Sequence, residues 1–266
     1  VERPVPPADA TLMAPAAGTR LLDGMPRQRS VPPAPAPAVP KAPARRTVPC
    51  PGRLLPTPTG TPFTFGYAVV LVVTSLFAEL ADPSLVHTLH QESSTDVAHL
   101  AHSPVRVLVA SALWIAGGLT SAYAPAFLFV LTALERRTGG VRTAVVFLLG
   151  HVLATLATEV PVALAVRAGH LPGSSLHRLD YGISFGVAAC LGALTGLLRP
   201  WLRRTVLIGY GGVLLEALVA CTDPLTDWGH VLSLAIGIGA GPLVRRCGRT
   251  GLPVARPRSA ESAAAG

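Results

Sequence analysis

Apolar runs recur along this chain from about residue 65 onward, and short arginine-rich turns separate them. They cover 65–80, a region ending near Leu134, 143–166, 182–198, 205–221 and 229–244. A membrane-crossing helix needs roughly 17–25 apolar residues, so the pattern predicts an all-α, polytopic membrane protein with about six spanning helices. Several runs sit at the short end of that range, which a bundle tolerates when it thins the bilayer locally. The second region is divided: 105–116 is apolar, Gly117-Gly118 breaks it, and 119–134 continues with Pro125 inside. One long helix and a short interfacial segment followed by a span both fit.

The arginines orient the spans, because short cytoplasmic loops carry the excess of positive charge. Arg45, Arg46 and Arg53 precede the first run, and Arg136, Arg137 and Arg142 lie between the second and third. Arg199, Arg203 and Arg204 lie between the fourth and fifth, and Arg245, Arg246 and Arg249 follow the sixth. The alternate loops hold few. Both termini are therefore expected in the cytoplasm, with 82–104 and 167–180 outside, in a multi-pass protein of the cell membrane.

Composition agrees. Half of the 266 residues are hydrophobic and only 14% are charged, against roughly 25% in a soluble domain. Residues 1–62 are rich in Pro, Ala and Arg without periodicity and read as a disordered cytoplasmic tail, followed by a membrane domain over 63–246 and a second disordered tail over 247–266. No apolar run precedes position 60, so no signal peptide is expected there. The net charge of +8 sits in clusters beside apolar runs, not in a stripe with interleaved aromatics, so the bilayer is the expected partner and nucleic acid is not. Cys50, Cys190, Cys221 and Cys247 lack metal-ligand spacing. His87, His90, His99 and His102 are irregularly spaced and read as a solvated outer loop. No metal or cofactor is expected. The strong bias of arginine over lysine suits GC-rich coding and a bacterial source.

Ionisable groups inside spans are costly and mark candidate sites. Glu159 lies roughly 24 Å up the third run, near the outer third, and His151 lies about 12 Å deeper. Asp180, Ser184 and His230 enter their runs at the same outer level. Ser184, Ala188, Gly192 and Gly196 recur every four residues, as do Ser233, Gly237 and Gly241, with His230 on the face of the latter. Such small-residue stripes let helices approach closely in lipid. Packing the two stripes together would bring Ser184 to His230, a serine beside a base.

Three stretches then carry a resemblance to the rhomboid superfamily of six-helix intramembrane serine proteases. Leu134-Glu135-Arg136-Arg137-Thr138-Gly139-Gly140-Val141-Arg142 resembles the family's turn between the second and third helices. Gly182-Ile183-Ser184-Phe185-Gly186 resembles its G-x-S-G nucleophile motif, and the segment from Gly229-His230 to Gly237 resembles its sixth-helix histidine segment. The resemblance covers about residues 63–246. It implies that Ser184 attacks a peptide carbonyl near the outer face, that His230 is its general base, and that the substrate is a transmembrane protein. Such a dyad is expected within about 2.6–3.2 Å. The chain also departs from the pattern. Phe185 stands where the family has Gly or Ala, a ring expected to take space from a substrate backbone. An H-x-x-x-N pair that helps stabilise the oxyanion falls at Leu119 and Tyr123, so it is missing. His151, Glu159 and Asp180 are not called for, and are candidates to rebuild the site: Asp180 one turn above Ser184, Glu159 orienting His230. Three readings stay open: a divergent rhomboid protease, an inactive rhomboid-like protein binding transmembrane clients, and a small transporter or metal-binding protein.

Overall fold

The computed structural model describes residues 55–248, and the two expected tails fall almost wholly outside them. The described residues form nine α-helices and no strand. They are α1 (Pro62–Leu80), α2 (Pro83–Glu92), α3 (Val97–His102), α4 (Pro104–Ser111), α5 (Tyr123–Thr138), α6 (Gly140–Arg167), α7 (Ser184–Thr195), α8 (Pro200–Ala220) and α9 (Pro224–Gly248). Proline in the first turn starts α1, α2, α4 and α8, where its missing N–H costs nothing. The divided second region resolves as the short α4, a turn with Gly117 and Gly118 at positive φ, and then α5. Only glycine enters that left-handed turn without strain.

The helices are arranged inside-out relative to a water-soluble bundle. Val69, Val73, Leu76 and Leu80 of α1 point outward, as do Val145, Leu149, Leu156 and Leu164 of α6 and Ile208, Val213 and Val219 of α8. Polar side chains point inward: Thr132, Glu135, Thr143, His151, Thr155, Glu159 and Ser233 are all buried. Lipid as the outer solvent produces this distribution, because an unpaired polar group in hydrocarbon is expensive. Two helices, α1 and α6, are long and apolar enough by themselves to cross a bilayer.

At the centre stands α7, with Phe185 through Cys190 and Gly192 through Thr195 all buried. It packs most extensively on α9, then on α6 and α5. The stripes expected from the sequence make that α7–α9 contact. A methyl at Gly237 would sit 1.9 Å from the Ala189 carbonyl oxygen, and one at Gly192 would sit 2.4 Å from that of Leu234. Glycine is therefore what permits the approach. The turn motif around Glu135 has a structural duty as well. Its buried carboxylate accepts from the Phe63 and Thr64 amides at 3.0 and 2.8 Å and from the Thr64 hydroxyl at 2.6 Å. A carboxylate at the first turn of α1 satisfies donors that the helix cannot and complements its dipole.

The segment 82–104, expected as a solvated loop, is instead a folded cap. Asp82 accepts from the Ser84 and Leu85 amides and so starts α2, while Asp96 accepts from the His99 amide and starts α3. Ser94, Thr95 and Asp96 are buried. The Thr95 amide donates to the Asp180 carbonyl at 2.7 Å, and the Ser94 hydroxyl donates to that of Arg178 at 3.1 Å. The segments 82–104 and 167–180 thus lie against each other at one end of the bundle.

Candidate functional site

Gly182, at φ +128°, turns the chain into α7, and its amide donates to the Ser111 carbonyl at 3.0 Å. Ser184 follows as the first residue of the helix and lines an open cavity of about 290 Å³. Ser121, Tyr123, Asp180, Asp223 and His230 share the lining. The nucleophile and base expected from the sequence are therefore brought to one cavity. Among the described residues, however, no hydrogen bond joins them. His230 Nε2 is 2.9 Å from the Tyr123 hydroxyl, and the two rings lie nearly parallel, 13° apart with centroids at 5.4 Å. Phe185 meets the imidazole edge-on, with centroids 5.1 Å apart. Its ring also fills the space over Gly229, where a Cβ would come within 2.3 Å of it. Phe185 is buried, packed against His230 and Gly229 of α9, and is not among the residues that line the cavity.

The acidic candidates take another role. Arg178 Nη2 binds the Glu159 carboxylate at 2.7 Å and that of Asp180 at 3.3 Å, while Nη1 binds Asp223 at 3.2 Å and the Thr226 hydroxyl at 3.0 Å. One guanidinium thus ties α6, the turn before α7 and the α8–α9 turn together around the cavity mouth. Glu159 is spent on Arg178 and does not orient His230. Asp180 is not one helical turn above Ser184 either, because α7 begins only at Ser184. Burial raises the Asp180 carboxyl above its usual range, a rise that Arg178 opposes and Asp223 reinforces. On α9, Asp227 is buried one turn before His230, and its Oδ2 has no hydrogen-bond partner among the described residues.

His151 belongs to neither group. It is buried beneath α4, with Nε2 3.1 Å from both the Leu108 carbonyl and the Ser111 hydroxyl. A carbonyl oxygen can only accept, so the Nε2 that faces Leu108 carries the proton. That nitrogen cannot then take a proton from Ser111, and this second serine–histidine pair anchors α4 to α6 without being a nucleophile. Sequence reasoning missed Tyr123 and Arg178. Tyr123 was read only as the absence of an asparagine, and Arg178 only as one charge in a sparse loop. His90 was likewise read as solvated, but it stacks on Tyr181 (4.4 Å, 21°) and meets Trp114 edge-on, which pins the cap beside Ser184.

An inside-out helical bundle with a serine and a histidine in one polar cavity defines a class of membrane protein. Within it, the rhomboid-like protein family model matches residues 59–250 of this chain. The chain belongs to that family and is a rhomboid-like membrane protein. No curated protein and no solved structure matches it.

Proposed function

We propose that this protein is a six-span intramembrane serine endopeptidase of the cell membrane. It would cleave membrane-anchored proteins near the outer face with Ser184 as nucleophile and His230 as general base. The observation that carries this reading is the shared lining of one open cavity by Ser184 and His230. The spans are α1, α5, α6, α7, α8 and α9, with both termini cytoplasmic. Arg136, Arg137, Arg199, Arg203, Arg204 and Arg245 all fall in turns or at helix ends, and the positive-charge bias supports placing those ends inside. The twelve-residue α7 rises only about 18 Å and depends on its neighbours for lipid shielding.

In the reaction, the Tyr123 hydroxyl leaves Nε2 as the substrate backbone enters. His230 takes the Ser184 proton while Oγ bonds to the scissile carbonyl carbon, and then passes that proton to the departing amine. Water admitted through the open cavity hydrolyses the acyl-enzyme. The missing family pair has a replacement in the N-terminus of α7. Its N-cap, Ile183, offers no side-chain bond to the first-turn amides, so these N–H groups are available to a developing oxyanion. A membrane-anchored reporter should be cleaved by the wild type and left intact by Ser184→Ala and His230→Ala, both variants accumulating normally. Tyr123→Phe frees Nε2 and should raise cleavage severalfold; a fall would show that the tyrosine supports the base.

A second reading has its own support: the bond from Nε2 to Tyr123 leaves the serine unactivated at rest. In that case the cavity holds the emerging segment of a transmembrane client without cutting it. Reporter capture that is unchanged in Ser184→Ala, with no cleavage by any variant, would select this reading.

The topology has a direct check. Single cysteines at Ser84 and Ser174, both exposed on the cap side, should react with a membrane-impermeant maleimide on intact cells. One at Arg137, exposed at the other end, should not. Native Cys50, Cys221 and Cys247 are replaced by serine first. The opposite labelling pattern would invert the assigned orientation.

A further inference from the structure

At the other end of α7 from Ser184 lies a second cavity, of about 500 Å³, lined by Gly196, Leu198, Arg203, Arg204, Leu207 and Arg245. Three arginines from two helices line it, and no carboxylate does. Among the described residues, none of the three arginines forms an ion pair. Arg245 Nη1 donates to the Gly196 carbonyl at 3.1 Å, which holds the C-terminal end of α9 against that of α7. The N-terminus of α8 opens here too. Its N-cap, Arg199, provides no side-chain bond, so the positive end of a 21-residue helix faces the same space. Trp201, exposed at the first turn of α8, marks the level at which an aromatic ring meets the headgroups.

Three cations around one open cavity repel one another, and an anion placed among them relieves that repulsion. A purely topological role for these arginines requires positive charge in the loop but no convergence. A cavity lined by both leucines and arginines suits a ligand with one anionic and one apolar end. We propose that this cavity binds the phosphate of an anionic phospholipid headgroup, with Arg203, Arg204 and Arg245 contacting the phosphate oxygens and Leu198 and Leu207 lying against the start of the acyl chains. The site is remote from Ser184, and its occupancy does not depend on whether the protein cleaves anything. It rests on the chain being a membrane protein.

The test uses the full chain purified in a neutral detergent, with bound lipid counted by native mass spectrometry. Dioleoyl phosphatidylglycerol, dioleoyl phosphatidylcholine and inorganic phosphate are the probes. One phosphatidylglycerol should be retained in preference to phosphatidylcholine. The triple variant Arg203→Gln, Arg204→Gln, Arg245→Gln should weaken its binding roughly 10- to 100-fold. The Arg-to-Lys triple variant keeps the charge and guards against misfolding as an explanation, and should retain binding to within about tenfold. Arg167→Gln, at the opposite end of α6, should change nothing. Equal retention of the two lipids, or unaltered phosphatidylglycerol binding by the glutamine variant, would overturn the proposal. Inorganic phosphate displacing the lipid at equal concentration would overturn the lipid assignment in favour of a free-phosphate site.

Discussion

Arg178→Met should lower the stability of the detergent-solubilised protein by about 3–5 kcal/mol, the usual cost of stranding one partner of a buried ion pair. The Glu159 side chain is 1% exposed and that of Arg178 20% exposed, so solvent cannot take over when the guanidinium is lost. Asp180, also largely buried, loses the same partner. Adding Glu159→Gln to Arg178→Met removes the more deeply buried of the two stranded charges and should recover half or more of the loss. A chemical or thermal unfolding series on the three proteins checks this. A single variant as stable as the wild type would mean that Arg178 does not hold the cavity mouth together.

Gly237→Ala should also destabilise the protein, although it adds only one methyl group. That methyl would meet the Ala189 carbonyl oxygen at 1.9 Å, and backbone on both sides leaves nothing flexible to yield. Overpacking of this kind costs about 1–3 kcal/mol, sometimes more. Gly239, two residues on in the same helix, has open space around the equivalent position. Gly239→Ala should be neutral or slightly stabilising, because alanine is the better helix former. Equal loss in both variants would show a requirement for helix flexibility, not for close approach of α7 and α9.

The features that were legible in the sequence are those written in local periodicity. The stripes at Gly192, Gly196, Gly237 and Gly241 identified the α7–α9 interface because a four-residue repeat is a helix face. The Gly117-Gly118 break offered a turn before α5 as one of two readings, and positive φ at both glycines shows why the chain takes it. What was not legible depends on partners far apart in the chain. Arg178 meets Glu159 19 residues earlier and Asp223 45 residues later, and no periodicity encodes that pairing. The folded cap was missed for a different reason: four histidines drew attention, whereas the start signals were Asp82 before Pro83 and Asp96 before α3. The site itself was half legible. Ser184 and His230 were placed in one cavity by depth and stripe, but Tyr123 as the partner of His230 was hidden, because a motif comparison registers it only as a missing asparagine.

The proposed proteolysis depends on Ser184 being a nucleophile made reactive by His230. The most direct measurement is covalent labelling of the full-length purified protein by a serine-reactive fluorophosphonate, with the modified peptide identified by mass spectrometry. One adduct is expected, on Ser184, lost in Ser184→Ala and in His230→Ala, and formed faster in Tyr123→Phe. A wild-type protein and a Tyr123→Phe variant that both remain unlabelled while folded, or an adduct that survives His230→Ala undiminished, would contradict it.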